Sequence, residues 1–194
     1  MPNQSHHDHP QSLAELAQHI KQWGRELGFQ QVGITDTDLS AEEPRLQAWL
    51  DKGYHGDMGW MAEHGNKRSR PEELLPGTLR VISVRLDYLP ADTDQIKVLK
   101  NAEQAYVSRY ALGRDYHKLI RKRLSQLAKR IEAAAEHLTD WQQDSGSLEP
   151  SGSEPASDSV KIAQRAFVDS APVMERPLAA KAGLGWVGKH TLVI

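Results

Sequence analysis

Leu13, Leu16, Ala17, Ile20, Trp23 and Leu27 recur at three- and four-residue spacing, the stripe of a helix that buries one face. Ser12 with Glu15 supplies a capping-box start, and Gly28 a stop. FQQVGIT then reads as a short strand. A second box, Ser40 with Glu43, opens a helix over EEPRLQAWLDKG that Gly53 closes. In YHGDMGWMAEHG the glycines break regularity, which predicts a short helix between loops, with Met58, Trp60 and Met61 as packing residues. LRVISVRLDYLP alternates Val81, Ser83 and Arg85 against Ile82, Val84 and Leu86, the pattern of a strand ending at Pro90. DYHKLIRKRLSQLAKRIEAAAEHL puts Leu119, Ile120, Leu124, Leu127, Ile131 and Leu138 on one face of the longest helix. The chain closes as strand (RAFVD), helix (VMERPLAAKAG) and strand (HTLVI). This order predicts an α/β (α+β) fold, a mixed sheet flanked by helices.

Two stretches lack such patterning. Residues 1–11 read as a disordered tail, whose His6, His7 and His9 have no partner at a structured spacing. Residues 142–160, acidic and rich in Ser, Gly and Pro, read as a disordered insertion. One domain, residues 12–194, is left.

With 39% hydrophobic and 26% charged residues, the 194-residue chain has the composition of a soluble globular protein. No window approaches a membrane span, and the N-terminus has no apolar signal core, so a cytoplasmic location and no membrane partner are expected. Cysteine is absent, which excludes disulfides, a cysteine nucleophile and cysteine-ligated zinc or iron–sulfur clusters within these residues. The net charge of −2 conceals segregation: residues 65–131 hold 15 basic and 7 acidic side chains, while 132–160 hold 7 acidic and no basic ones. A solvated face on RKRLSQLAKR accounts for part of the basic excess. KRSR, SRY and GRDYHK, at expected loops and helix starts, could instead meet a polyanion such as nucleic acid.

KAGLGWVGKH places Gly183, Gly185 and Gly188 in the spacing G-x-G-x-x-G. A dinucleotide cradle requires these glycines to follow a strand and open a helix, because the helix N-terminus holds the pyrophosphate. Here they follow a helix, and Gly183 falls where a left-handed C-terminal cap belongs. The nicotinamide reading fails on order. A tight turn, or close approach of a large flat group to bare backbone, remains.

Asp169, in FVDSAP, has two readings. It can cap the following helix, with Pro172 at the first helical position. Alternatively, its apolar neighbours bury it and raise its proton affinity, so that it serves as an acid near neutral pH. The residues alone leave both open.

Taken together, QQVGITDTDLS, YHGDMGWM, ELLPGTLRVISVR, SRYALGRDYHKLIR and FVDSAPVMERPLAAKAGLGWVGKH resemble the N-terminal domain of the epoxyqueuosine reductases, from about residue 12 onward and excepting 142–160. The resemblance implies a nitroreductase-like cobalamin-binding domain. It implies removal of the epoxide oxygen of epoxyqueuosine in the anticodon loop of tRNA, the last step of queuosine formation, by a monomeric oxidoreductase. Two [4Fe–4S] clusters would deliver electrons through cobalamin. By the same resemblance Asp169 is the proton donor, and Arg68, Ser108, Asp169, Met174, Glu175, Arg176, Lys189 and Val193 lie beside cobalamin. Tyr116 and His117 fall in a family motif without an assigned role. Asp115–Ile120 half-matches the Asp-x-His-x-x-Gly pattern of some cobalt-ligating histidines, but the glycine is missing, so no metal ligand is expected.

The resemblance also has breaks. The family continues into a ferredoxin-like domain of C-x2-C-x2-C-x3-C-P type, whereas this chain has no cysteine and ends at Ile194. It reads as a truncated member lacking the electron-delivering domain, and the insertion at 142–160 is longer than the family's connection. A non-catalytic tRNA- or corrinoid-binding module is the alternative, and a flavin-binding relative a weaker one.

Overall fold

The computed structural model describes residues 10–89, 94–136, 138 and 162–194. The insertion at 142–160 and most of the N-terminal tail lie outside the described residues. Residues 10 and 11, read as tail, belong to the fold: Pro10 is fully buried, and the Gln11 N–H donates to Glu15 Oε2 at 2.7 Å. Ser12 Oγ accepts the Glu15 N–H at 3.2 Å, so the Ser12 half of the capping box forms, while the Glu15 carboxylate takes the N–H one residue before the cap. Helix α1 (Leu13–Glu26) follows and ends in a Schellman closure, with Gly28 at φ +85° and the Phe29 N–H on the Gly24 carbonyl.

Strands β1 (Gln31–Thr35) and β2 (Val81–Arg85) pair antiparallel, with Val32 opposite Val84 and Ile34 opposite Ile82. The two-residue period gives this sheet two faces. Val32, Ile34 and Ile82 pack with Leu16, Ile20 and Trp23 of α1 and with Ile131, Ala134 and Ala135 of α5 (Tyr116–Ala135). Each fully buried Leu or Ile there contributes about 1.5–3 kcal/mol relative to exposure. Two polar links tie the same helices: Arg130 Nη1 to Glu26 Oε2 at 2.6 Å and Arg123 Nη1 to the Gly28 carbonyl at 3.3 Å. On the other face lies α6 (Glu175–Lys181), whose Leu178 is 2% exposed and packs with Leu39 and Val173 against Val81, Phe167 and Met174. The result is helices on both sides of a small sheet, the α/β class expected.

Several local expectations change. Helix α2 (Glu43–Asp51) is capped by Glu42 without a side-chain bond, and the Ser40 N–H donates to Asp38 Oδ1. Glu43 is drawn out of the second box by stronger partners. Its carboxylate accepts from Arg70 Nη2 at 2.8 Å, Arg70 Nε at 3.0 Å and Ser69 Oγ at 2.6 Å, which hold its pKa down to about 2. Arg70 immediately precedes the single turn α3 (Pro71–Leu74), so this pair joins α2 to α3. α4 (Gln95–Lys100) is short, capped by Asp94.

Met58 and Trp60 are exposed rather than packed in a core, and the regular structure there is only two short 3-10 turns, Gly59–Met61 and Gly65–Arg68. RAFVD forms no strand, because its apolar run is covered otherwise: Phe167 packs beneath α6. HTLVI forms only one arm of a small hairpin, bridged at Val187–Val193 and held by reciprocal bonds between Trp186 and Ile194.

Gly33 sets how closely α6 approaches. A Cβ built there would stand 2.3 Å from the Ala182 carbonyl oxygen and 2.8 Å from the Ala182 Cβ, both at the end of α6. Gly33→Ala is expected to lower stability by about 1–3 kcal/mol, read as a lower urea midpoint at unchanged slope. An unchanged midpoint would show that α6 does not press on β1 at this position.

Candidate active site

The N-terminus of α5 and the segment leading into α6 meet at Asp169. Asp115 caps α5, accepting the His117 N–H at 3.0 Å on Oδ1. The same oxygen lies 2.9 Å from His117 Nδ1, which fixes the imidazole. Tyr116 stacks on His117, ring centroids 4.1 Å apart, and its hydroxyl donates to Asp169 Oδ2 at 2.6 Å. His117 Nε2 stands 3.4 Å from that same Oδ2. A carboxylate, an imidazole, a second carboxylate and a phenol thus form one connected line across residues far apart in sequence.

The electrostatics follow from this line. The Tyr116 phenol is pushed up to about 12, first by its hydrogen bond to Asp169 and then by burial and the carboxylate's charge. The bond from His117 holds the Asp115 carboxyl below its usual range. Glu175, at the start of α6, is raised by desolvation and by the negative charge of Asp169, against which the Asp169 main chain and the charge of Arg176 act. The Asp169 side chain is 53% exposed, and its backbone is left-handed at φ +53°.

These facts bear on both sequence readings of Asp169. α6 begins at Glu175 with Met174 in the capping position, so Asp169 is not its cap. Nor is it buried: its setting is a hydrogen-bonded, half-open surface. Pro172 stands ahead of the helix, not in its first turn.

Of the other residues singled out by resemblance, all but Ser108 lie on α6 or on segments bonded to it. Arg68 is 8% exposed and has no carboxylate partner among the described residues; its Nε donates to the Met61 carbonyl at 3.0 Å, its Nη2 to the Trp60 carbonyl at 3.1 Å, and its guanidinium lies over the Trp60 ring. Burial lowers its pKa. The Arg68 carbonyl accepts the Met174 N–H at 3.0 Å, which joins this turn to the start of α6. Met174 packs with Leu178, and Arg176 Nη1 donates to the Thr191 carbonyl and hydroxyl at 2.7 and 2.8 Å. Through that bond α6 carries the hairpin that holds Lys189, exposed at its turn, and Val193. Ser108 is exposed and precedes the turn Arg109–Ala111.

Gly183 is the C′ residue of α6 at φ +78°, with the Leu184 N–H on the Ala179 carbonyl. Gly185 and Gly188 admit Ile194 and the His190 ring. The glycines end a helix and build a hairpin.

An aromatic run without a sequence signature flanks the site. Tyr88 meets Tyr110 edge-on at 6.4 Å, Tyr110 meets Tyr116 at 6.5 Å, and Tyr116 stacks on His117. Tyr88 and Tyr110 are 63% and 56% exposed. Their irregular sequence spacing carries no periodic signal. A depression of about 740 Å³ beside α4 shares no residue with this cluster. Among the described residues no group of three or more His, Cys, Asp or Glu is placed to hold a metal ion, and no helix is long and apolar enough to cross a membrane.

This arrangement defines a helix-flanked α/β protein with a carboxylate–phenol–imidazole surface site. Residues 68–145 match the family model described as epoxyqueuosine reductase QueG, DUF1730. The chain is 60% identical over 194 residues to the epoxyqueuosine reductase of Yersinia pestis, covering 96% of this chain and 47% of that protein. Against the Escherichia coli K12 enzyme the identity is 59%, covering 95% and 42%. Against that of Pseudomonas aeruginosa it is also 59%, covering 95% and 45%. The chain belongs to the epoxyqueuosine reductase family and spans somewhat under half the length of these curated relatives. A solved selenomethionine-labelled epoxyqueuosine reductase superposes with a TM-score of 0.68 at 20% identity, covering 94% of this chain and 42% of that one. An epoxyqueuosine reductase solved with a tRNA-Tyr epoxyqueuosine-modified stem loop gives 0.66 at 20% identity, covering 94% and 42%. At such identity these likenesses show the fold.

The Tyr116–Asp169 bond makes a direct prediction. Because the folded phenol is raised from 10.0 to about 12, its stabilising contribution is whole below about pH 10 and is lost as pH rises through about 12. Asp169→Asn is expected to return one tyrosine titration toward its ordinary value, followed by tyrosinate absorbance or ring-labelled NMR. Five tyrosines that titrate alike in both proteins would contradict the bond.

Proposed function

We propose that this chain is the cobalamin-binding, acid-bearing part of an epoxyqueuosine reductase and that Asp169 protonates the departing epoxide oxygen within tRNA. The observation that carries this reading is the Asp169 carboxylate, held through Oδ2 by Tyr116 and facing His117 while half open to solvent. Both contacts use one oxygen, which leaves Oδ1 for the proton that is transferred. Turning the epoxide into an alkene consumes two electrons and two protons and releases water. Asp169 supplies a proton to the oxygen as its bond to carbon opens, and the resulting carboxylate is stabilised by the Tyr116 O–H. His117, oriented by Asp115, is placed within reach to return a proton to Asp169.

The residues present suit a flat, amide-rimmed macrocycle. Trp186, Leu192 and Ile194 are exposed on the hairpin. Val187 and Val193 form its non-hydrogen-bonded pair, so the main-chain N–H and C=O of Val193 point outward and can meet ligand amides. Cobalamin, when bound, would deliver the electrons that break the carbon–oxygen bond. [4Fe–4S] clusters do not fit this chain, which has no cysteine.

Basic residues in 65–131, together with the exposed rings of Tyr88 and Tyr110, favour a single-stranded RNA loop as the partner. A cytoplasmic location suits that substrate.

With cobalamin, a low-potential chemical reductant and the modified anticodon stem-loop supplied, Asp169→Asn should reduce turnover about 10²–10⁴-fold with cobalamin still retained on gel filtration. Turnover near the parent rate would remove Asp169 from the mechanism. Cobalamin and RNA binding without turnover by the parent chain would favour a binding module. Tyr110→Ala should weaken stem-loop binding by about 1–3 kcal/mol, whereas Tyr110→Phe should not. Equal affinities, measured by fluorescence anisotropy at fixed salt, would mean that no base stacks there.

A further inference from the structure

The fold divides the basic excess of residues 65–131 into cations that are committed to a partner and cations that are not. Arg70 pairs with Glu43 and Glu73, Arg85 with Asp87 and Arg130 with Glu26, while Arg123 donates to the Gly28 carbonyl. Lys118, Arg121, Lys122 and Lys129 of α5 are exposed, and none of them has an ion pair among the described residues. At helical spacing these four fall with the exposed Ser125 on one face, opposite the face that buries Leu127 and Ala134. From Lys118 to Lys129 the row rises about 16 Å over three turns.

Helix stability does not select this distribution. The helix dipole favours acids in the first turn and bases in the last, and α1 obeys it with Glu15 and Arg25. α5 reverses the order: Lys118 stands in its first turn, and the acids on the same face, Glu132 and Glu136, come at its end. Lys118 also has Arg121 and Lys122 three and four residues on, where like charges repel. A face solvated for its own sake would alternate signs and pair them. Here the cations and the positive end of the dipole add to one field beside Tyr116 and His117, and an external polyanion relieves it.

The kind of polyanion follows from the neighbours. Single-stranded RNA is held by cations interleaved with stacking rings, and the exposed residues of this row carry no ring. The rings of Tyr88 and Tyr110 gather instead ahead of its first turn, next to Tyr116. A paired stem keeps its bases stacked inside and offers phosphates to Lys, Arg and Ser side chains. We propose that the exposed basic row of α5 is a phosphate track for the paired stem of an RNA stem-loop whose loop lies on the tyrosines, so that the stem runs along the helix away from Asp169. This rests on the reading of an RNA stem-loop as the partner, and it assigns the stem to α5.

The test combines Arg121→Gln, Lys122→Gln and Lys129→Gln, which leave the Asp169 cluster untouched and keep good helix formers. Two probes are compared by fluorescence anisotropy: the anticodon stem-loop, and a single strand of the loop sequence without a stem. The triple variant should bind the stem-loop about tenfold or more weakly at about 0.1 M salt, with the slope of log affinity against log salt reduced by about 2–3. Its affinity for the stemless strand should stay near that of the parent, and its urea midpoint should be unchanged or higher. Exchanging the same positions for the other base, Arg121→Lys with Lys122→Arg and Lys129→Arg, should keep stem-loop affinity. An unaltered salt slope in the glutamine variant would overturn the proposal, as would an equal loss on both probes or a loss in the charge-keeping variant. If Tyr110→Ala weakens stem-loop binding while the glutamine variant does not, the RNA reading stands and the track is rejected. A parent chain that binds neither probe would reject both.

Discussion

One absent methyl group governs the arrangement. At Gly33 the backbone of β1 meets the last carbonyl of α6 at a distance that leaves no room for a Cβ, so α6 lies directly on the sheet. The α6 anchor Leu178, almost fully buried, fills the space beneath, and Lys181 at its end bonds to Asp36 just past β1. The Arg68 turn and the C-terminal hairpin hang from that helix. Met174 binds the Arg68 carbonyl, and Arg176 carries the hairpin through Thr191. Because α6 has only two turns, its position comes from tertiary contact and not from intrinsic helix stability.

The opposite wall is α5, seated on the other face of the sheet through Ala134, Ala135 and Ile131. Its N-terminal turn carries Asp115, Tyr116 and His117 to Asp169, so the cluster spans two elements that the sheet holds apart. The chemistry follows from this. A carboxylate on an exposed loop would ordinarily be a free surface charge, whereas here one oxygen is committed to a phenol and stands beside an oriented imidazole. The same turn borders the tyrosine run and opens the basic helix, next to Asp169.

Much of this was legible in the sequence where local rules acted alone. The first capping box, both strands, the stops at Gly28 and Gly53 and the C′ role of Gly183 follow from spacing and backbone preference. The second box failed because Glu43 had a better partner 27 residues away, in Arg70. RAFVD looked like a strand because its apolar run needs burial, but the run obtains it under α6. The candidate site was legible only in part. FVDSAP drew attention to Asp169, yet its contacts with Tyr116 and His117 span about 53 residues, and no spacing rule reports such a contact. The left-handed backbone at Asp169 was equally hidden, since only glycine advertises that conformation in a sequence.

The central claim is that Asp169 delivers the proton to the epoxide oxygen. The most direct measurement is a structure of this protein with cobalamin and an epoxyqueuosine-bearing stem-loop, reading the distance from the epoxide oxygen to the Asp169 carboxyl. The account predicts hydrogen-bond contact, about 2.6–3.2 Å, through Oδ1 while Oδ2 stays on Tyr116. An epoxide oxygen bonded to a different acid, with Asp169 out of reach, would contradict it.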